Sequence, residues 1–257
     1  MIMDYTALIV AAGSGSRMGL GYNKLLFRFD NDETIIERTI QIFEKDERCR
    51  QIVVVISEQD EEIMRPLLKD RVQLVYGGEK RSDSVYNGLS AVEQDTVLIH
   101  DGARPWLSKD SLDALLAKKA ECRACLLMTP VKDTIKEVID GKIVKTHVRS
   151  TLMQAQTPQA FDTAFLLSCY RTCMASGYSV TDDAQVVELC SDEPIYAVLG
   201  SYENRHNGIR DLTSFYIFIN KNTNQADPQL LTISMLHLHN TVIAIAAGLD
   251  RIHHVFI

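Results

Sequence analysis

The chain lacks an excess of basic residues, and it lacks the basic opening of a secretory leader. Its 257 residues contain 34 Asp and Glu against 27 Lys and Arg, a formal net charge of −7. A duplex nucleic-acid binder normally presents a basic face, so we expect no nucleic-acid partner. Asp4 precedes the first apolar run and no basic residue stands before it, so a cytoplasmic location is expected.

A complete cysteine motif for zinc is also missing. Cys122 and Cys125 have the spacing of half a zinc knuckle, but no second pair at similar spacing accompanies them among the six cysteines. Cys169 and Cys173 lie four residues apart, where small apolar side chains pack on one helix face. Buried, reduced thiols are therefore expected, which fits a cytoplasmic protein.

The glycine-rich segment after the first apolar run matches neither of two common phosphate-binding templates. Gly13 and Gly19 are not followed by the Lys-Ser or Lys-Thr of a P-loop, and Met18 replaces the third glycine of a dinucleotide fingerprint. What is present is a loop whose amides could close on an anion, with Arg17 inside it and Lys24 beyond it. These cations suit the phosphates of a nucleotide, and a structural turn with surface charges is the alternative.

Apolar runs alternate with helical patterns along most of the chain, which is typical of an α/β fold. Residues 51–57 form a run typical of a fully buried strand, and residues 58–69 are expected to form a helix that starts with acidic residues. Further strands are predicted at 72–76, 96–100, 124–129 and 195–200. We therefore predict a doubly wound, mostly parallel sheet, whose ligands lie at the carboxyl ends of the strands.

Residues 131–159 interrupt this alternation. Two short β-prone pieces, 134–139 and 142–147, are joined by Asp140 and Gly141, which form a strong hairpin turn signal. An isolated two-stranded hairpin is marginal in water, so we expect this arm to pack against a second subunit.

The chain is expected to divide into one domain at 1–220 and an atypical tail at 221–257. Residues 228–249 contain no Asp, Glu, Lys or Arg and reach the length of a membrane span. His237 and His239 near the middle make that span a poor one, so no membrane association is expected. An extra packed or loosely ordered tail is favoured over a partner-binding helix.

Polar groups collect in the segments that follow predicted strands. Residues 77–84 place a glycine pair beside hydrogen-bonding side chains at a helix start, which suits a base edge and a phosphate. Asp101 stands at a strand end, where a carboxylate and phosphate oxygens commonly hold magnesium, and Arg104 offers a planar fork to a second anion. As alternatives, Asp101 could cap a turn, and Ser84 and Thr181 could cap helices.

Four segments carry a resemblance that extends over residues 5 to 204. They are GGEKRSDS at 77–84, HDGARP at 100–105, AQTPQAF at 155–161 and TDDA at 181–184. In this order they closely resemble the 2-C-methyl-D-erythritol 4-phosphate cytidylyltransferases. The resemblance implies a Rossmann-like α/β domain with a dimerising β-arm. It also implies magnesium-dependent transfer of CMP from CTP to a sugar-alcohol phosphate, in isoprenoid precursor biosynthesis.

The resemblance further implies roles for individual residues. Arg17 and Lys24 would stabilise the α-phosphate and the leaving pyrophosphate. The other implied contacts to CTP are Ala11, Ala12, Gly13, Ser14, Gly15, Gly78, Glu79, Arg81, Ser84, Asp101 and Gly102. Asp101 would also hold the magnesium ion. The implied contacts to the sugar phosphate are Arg104, Thr134, Arg149, Thr157, Thr181 and Arg205, and the arm would allow Thr134 and Arg149 to reach across a homodimer.

The chain departs from the family at its closing segment. Family members usually have Asn-Ile-Lys-Ile-Thr there, with a lysine that contacts the substrate phosphate, whereas this chain places Arg205 or His206 at the lysine position. Two other functions stay open. One is a ribitol 5-phosphate cytidylyltransferase, although Gly102 and Ala103 differ from the Ser-Val pair towards which those relatives tend. The other is a catalytically impaired nucleotide-binding homologue.

Overall fold

A computed structural model of the protein describes residues 3–13, 23–29, 31–68 and 72–205. Several predicted features lie outside these ranges. They are the loop residues Ser14, Gly15 and Arg17, the alternative phosphate ligand His206, the boundary at residue 220 and the tail at 221–257.

The described residues contain nine strands. They are β1 (Tyr5–Val10), β2 (Cys49–Ile56), β3 (Val72–Tyr76), β4 (Thr96–Asp101), β5 (Ala124–Pro130), β6 (Lys136–Ile139), β7 (Lys142–Thr146), β8 (Met153–Asp162) and β9 (Tyr196–Leu199). Seven of these form one sheet in the order β3-β2-β1-β4-β8-β5-β9. All neighbours in this sheet pair in parallel except β8, which runs antiparallel to both β4 and β5. The predicted Rossmann-like, mostly parallel sheet is confirmed.

Six α-helices connect the strands of the described part of the chain. They are α1 (Ile35–Glu44), α2 (Glu61–Met64), α3 (Arg81–Leu89), α4 (Lys109–Lys119), α5 (Thr163–Ser176) and α6 (Asp183–Cys190). The helix predicted at 58–69 is wrong in length, because only α2 is α-helical and short 3-10 turns flank it. Pro66 lies in the second turn, where its missing N–H cannot continue an α-helix.

The apolar core lies between the sheet and the helices that cover it. Leu8, Val55 and Ile99 of the central strands are fully buried, and Val85 and Leu89 of α3 pack in the same cluster. Gly88 allows α3 to approach the sheet closely, because a Cβ there would come within 2.7 Å of Val55 Cγ2. This close packing fixes the start of α3 at the edge of the sheet where the polar segments gather.

Strands β6 and β7 form the predicted hairpin arm. Asp140 (φ 49°) and Gly141 (φ 76°) both adopt positive φ, as a tight two-residue hairpin turn requires. All residues of both strands are exposed, including Val138 and Ile143. The arm therefore presents apolar side chains to solvent in a single chain.

Within the described ranges, no helix combines the length and the apolar character needed to cross a bilayer.

Candidate active site

The carboxyl ends of β1 and β4 bring the predicted phosphate-binding segments together. Val10 pairs with Asp101 across the two strands, and the Gly102 N–H donates to the Val10 carbonyl at 3.0 Å. The loop after β3 presses against the same edge, because a Cβ on Gly77 would lie 2.6 Å from the Ala12 side chain. The residues that follow three strands therefore meet at one edge of the sheet.

Lys24 begins a 3-10 turn that packs against this edge. Asn23 caps the turn, with its Oδ1 accepting the Leu25 N–H at 3.1 Å. The Leu25 side chain lies beside Gly102, where an added Cβ would be 3.2 Å from Leu25 Cδ1. The fold thus brings the backbone of the predicted catalytic lysine to the end of β4.

Ser84 shapes the predicted cytosine-binding loop from within. It is buried, and its Oγ accepts the Gly78 N–H at 3.1 Å and donates to the Lys80 carbonyl at 3.1 Å. Asp83, not Ser84, accepts the N–H of the helix-capping Lys80, at 3.1 Å. The alternative interpretation of Ser84 as a helix cap is therefore wrong. Glu79 is exposed in the same loop.

The Asp101 carboxylate lies between two guanidinium groups. Arg81 Nη2 lies 3.3 Å from Asp101 Oδ1, and Arg104 Nε lies 3.2 Å from Asp101 Oδ2. Arg81 also contacts the fully buried Asp183 at 2.8 Å, and Tyr170 donates to the other oxygen of Asp183 at 2.6 Å. Burial alone would lower the pKa of Arg81, but the charges of Asp183 and Asp101 raise it above its ordinary value. Arg81 therefore stays charged beside Asp101.

A chain of buried hydrogen bonds fixes the backbone on both sides of Gly102. The Asp101 N–H donates to Thr157 Oγ1 at 2.9 Å, and this hydroxyl lies 3.0 Å from His100 Nδ1. His100 Nε2 lies 3.0 Å from the Arg104 carbonyl. Burial lowers the pKa of His100 to about 4, so the ring is neutral at neutral pH. The contacts then assign its proton to Nε2, which donates to Arg104, while Nδ1 accepts from Thr157.

Asn204 is a site residue that the sequence motifs did not predict. Its Nδ2 donates to the Thr157 carbonyl at 2.8 Å, and its own carbonyl accepts Arg104 Nη1 at 2.8 Å. Asn204 is fully buried, whereas the neighbouring Arg205 is exposed. The available signal was its place as the first residue of the family's closing motif, which this chain retains although the lysine is replaced.

Three predicted contacts to the sugar phosphate are exposed, and two of them bond to nearby groups. Thr134 lies at the base of the arm. Arg149 donates to the Lys132 carbonyl at 2.7 Å, and Thr181 Oγ1 lies 3.0 Å from Gln185 Oε1. These contacts do not connect the three residues to the Asp101 cluster.

Asp101 suits a magnesium ion, because Mg²⁺ can be bound through few protein ligands. The described residues contain no group of three or more His, Cys, Asp or Glu side chains placed to hold a metal ion. Mg²⁺ is often held by one or two carboxylates together with substrate phosphates and water. A single carboxylate, one-fifth exposed at a strand end and beside the phosphate-binding segments, fits that mode.

A groove of about 1130 Å³ lies elsewhere, between α1, the start of β2 and the start of α4. None of the predicted site residues lines it. Its three arginines are paired, Arg38 with Glu33 at 2.7 Å, Arg48 with Asp46 at 2.7 Å and Arg50 with Asp4 at 3.0 Å. Size alone does not make this groove a substrate site, so the polar edge described above is the candidate.

Comparison with known proteins points to one family. Residues 5–213 match the family model for 2-C-methyl-D-erythritol 4-phosphate cytidylyltransferase (IspD). The enzyme of that name from Bacillus cytotoxicus is 42% identical over 206 residues, covering 78% of this chain and 90% of the relative. The one from Bacillus pumilus is 39% identical over 208 residues, covering 79% and 90%.

Solved structures agree with this result. The structure of 4-diphosphocytidyl-2C-methyl-D-erythritol synthase from Anaerococcus prevotii has a TM-score of 0.76 and 29% identity, covering 85% of this chain and 97% of that one. The 2-C-methyl-D-erythritol 4-phosphate cytidylyltransferase of Francisella tularensis has a TM-score of 0.72 and 27% identity, covering 84% and 99%.

Proposed function

The chain belongs to the 2-C-methyl-D-erythritol 4-phosphate cytidylyltransferase family, and from this premise we propose how its residues divide the reaction. The protein is a CTP-dependent nucleotidyltransferase of isoprenoid precursor biosynthesis. It transfers CMP from CTP to 2-C-methyl-D-erythritol 4-phosphate and releases pyrophosphate. The relatives favour this substrate over ribitol 5-phosphate.

One observation carries the assignment of the site. The end of β1, the turn of Lys24, the loop at 77–84 and the Asp101 carboxylate meet at one edge of the sheet. This is the edge at which ligands bind in doubly wound folds. The convergence supports a single nucleotide site built from segments that are far apart in the sequence.

The chemistry needs positioning and charge neutralisation more than a strong base. An oxygen of the substrate phosphate attacks the α-phosphorus of CTP in line, and the bond to the pyrophosphate oxygen breaks as the new bond forms. We assign Lys24, together with Arg17, to the negative charge on the α-phosphate and the leaving group. The backbone amides of residues 11–15 are assigned to the triphosphate.

We assign the cytosine base and the metal ion to the neighbouring loops. Gly78 and Glu79 are assigned to the cytosine edge, where an acceptor for the amino group would separate cytosine from uracil, and Ser84 holds this loop in shape. Asp101 would hold a divalent cation, which would neutralise phosphate charge when bound. Arg81 and Arg104 balance the charge of Asp101, and Gly102 permits the close approach of Leu25.

We assign the sugar phosphate to residues that do not lie together within a single chain. Arg104, Thr181 and Arg205 would receive the sugar phosphate, and Thr134 and Arg149 would be supplied by the arm of a second subunit. The exposed apolar residues of the arm support a homodimer. We assign Thr157 the further task of positioning Asp101, because its hydroxyl is engaged within the chain.

The cytoplasm is the proposed location. All six cysteines are free thiols in the structure, and an enzyme that consumes CTP needs access to the nucleotide pool.

A substrate comparison tests the function. The protein is incubated with CTP and Mg²⁺, with either 2-C-methyl-D-erythritol 4-phosphate or ribitol 5-phosphate, and pyrophosphate release is followed. Turnover with the methylerythritol substrate is expected. Turnover with ribitol 5-phosphate alone would overturn the substrate assignment, and turnover with neither would favour an impaired homologue.

A further inference from the structure

Asn23 connects three segments of the site through one side-chain amide. The residue is buried, with 3% of its surface exposed. Its Oδ1 accepts the Leu25 N–H at 3.1 Å, and its Nδ2 donates to Asp60 Oδ2 at 2.8 Å and lies 3.4 Å from the Ala11 carbonyl. The amide thus ties the turn of Lys24 to the end of β1 and to the turn that follows β2.

These contacts fix the backbone on both sides of Lys24. The Asn23 carbonyl accepts the Leu26 N–H at 3.0 Å, which closes the 3-10 turn, and Leu25 is buried beside Gly102. Asp60 is itself held in its turn, since its N–H donates to the Ser57 carbonyl at 3.0 Å. The starting point of the Lys24 side chain is therefore set by Asn23 and by the residues to which Asn23 is bound.

Only an amide satisfies all of these partners at once. The Leu25 N–H needs an acceptor, whereas the Asp60 carboxylate and the Ala11 carbonyl need a donor. A hydrogen bond from an amide to a carboxylate is stronger than one between two neutral groups. The hydrogen bond from Asn23 to Asp60 is thus suited to hold a turn against the pull of a bound polyphosphate.

We propose that Asn23 and Asp60 are a positioning pair for Lys24, which places its ammonium group on the phosphates of CTP. This inference rests on the proposed role of Lys24 in the cytidylyl transfer. Stabilisation by a fixed charge depends on its position relative to the transition state, and small displacements lower the rate strongly. Loss of the pair should therefore lower kcat, while the KM for CTP stays close to that of the wild type.

A reversal of hydrogen-bond roles tests the pair. N23D keeps an acceptor for Leu25 but sets a carboxylate against Asp60, so kcat should fall by about tenfold or more, with KM for CTP within about threefold. D60N alone should change kcat by less than about threefold, because its amide oxygen can still accept from Asn23. The double variant N23D/D60N restores a donor and an acceptor with their roles exchanged, although the long contact to the Ala11 carbonyl is lost, so its kcat should exceed that of N23D by at least about threefold.

Two further variants guard the test against nonspecific effects. N23S keeps a good cap for the 3-10 turn but is too short to reach Asp60, so it should lower kcat without introducing a charge. N31D makes the same chemical change at an exposed asparagine, 3.3 Å from the Glu33 carboxylate, and should leave kcat unchanged. Circular dichroism and thermal unfolding establish that each variant is folded.

The outcomes separate this inference from the proposed function. If the wild-type protein shows no turnover of CTP with 2-C-methyl-D-erythritol 4-phosphate, the proposed function fails and the inference fails with it. If the wild type is active, three results would overturn the positioning pair alone. They are an unchanged kcat in folded N23D or N23S, a rise in the KM for CTP with kcat unchanged, and a double variant as slow as N23D.

Discussion

The regions proposed for the two substrates are built in different ways. On the CTP side, Asn23, Ser84 and Thr157 are almost completely buried, and each is bonded to a segment distant in sequence or to its own loop. On the side assigned to the sugar phosphate, Thr134 and Arg149 stand on an exposed arm. Under the proposed assignment, a single chain would preform the first region and leave the second incomplete.

This difference has a physical cause. Buried hydrogen-bond networks fix the groups they join, because breaking a contact leaves an unpaired polar atom in a medium of low dielectric constant. A two-stranded ribbon with both faces exposed has no comparable restraint. The nucleotide side should accordingly be sensitive to single substitutions in one chain, and the arm side to changes in assembly.

Removal of the Lys24 ammonium group is the severest test of the CTP side. Lys24→Ala should lower kcat by at least about 100-fold, because the charge on the phosphates loses a fixed partner. The melting temperature should hardly change, since the buried residues of this turn are Asn23 and Leu25. Lys109→Ala, at an exposed lysine on α4, serves as the control. A decrease of less than about threefold would remove Lys24 from the catalytic residues.

Mixed dimers test whether the arm acts across subunits. Arg149→Ala should lower activity by about tenfold or more, mainly through the KM for 2-C-methyl-D-erythritol 4-phosphate. If Arg149 serves the partner's site, then mixing the Lys24→Ala and Arg149→Ala proteins regenerates one intact site in each mixed dimer. After subunit exchange, activity should approach about a quarter of the wild-type value.

The same mixture fails if the arm serves its own chain. In that case every site would carry one of the two substitutions, and mixing would restore nothing. Sedimentation of the wild type as a monomer at assay concentrations would likewise contradict the dimeric arrangement.

The sequence predicts Thr157 as a contact to the sugar phosphate, whereas its hydrogen bonds assign it to positioning Asp101 on the CTP side. Its replacement tests to which of the two regions it belongs. Thr157→Val keeps the shape but removes the acceptor for the Asp101 N–H and the donor to His100. We expect kcat to fall by about fivefold and the free energy of unfolding by about 1–2 kcal/mol. Thr172→Val, at an exposed helical position, is the matched control. A rise in the KM for the sugar phosphate alone would instead make Thr157 a direct substrate contact.

Two of the strands that the sequence pattern predicts well, β2 and β4, are mostly buried. Their observed bounds differ from the predicted ones by one or two residues, because a continuous apolar run is typical of a buried strand. The edge strand β3 has the predicted bounds, although none of its residues is fully buried. The sequence pattern does not predict β8, because polar residues interrupt its apolar residues. Gln159, for example, is buried in the middle of the sheet, where it bonds Asp182 and the Ala184 N–H at 2.9 Å.

A similar limit applies to the site. Motif order predicts Asp101, Arg81 and Arg104, whose charges the structure groups together. It does not predict Asn23, and the place of Asn204 in the family's closing motif does not reveal its role, because both residues act through contacts that exist only once distant segments have met. Asn204 holds Arg104 through its backbone carbonyl, which any residue type possesses. No composition or spacing rule marks such a residue.

The smallest effect is expected at an arginine–carboxylate cluster near the starts of β1 and β2. This cluster lies at the edge of the sheet opposite the proposed nucleotide site. Asp46 accepts hydrogen bonds from Arg48 Nη2 at 2.7 Å and from the Tyr5 hydroxyl at 3.1 Å. Burial alone would raise the pKa of Asp46, but the hydrogen bonds from Arg48 lower it below its ordinary value. This carboxylate therefore adds stability above the ordinary aspartate pKa of about 3.9, and the contribution is lost as the pH falls through the lowered pKa.

Asp46→Asn should accordingly reduce the free energy of unfolding by about 1 kcal/mol at pH 7, with kcat unchanged. As the pH falls from about 5 to about 3, the wild type should lose more stability than the variant, so that the two unfolding curves converge. Asp192→Asn, at an exposed aspartate, should leave a constant difference near zero over the same range. A marked fall in kcat for Asp46→Asn would show that the nucleotide region extends through β1 to the opposite edge of the sheet, and the division between a preformed site and the surrounding scaffold would no longer hold.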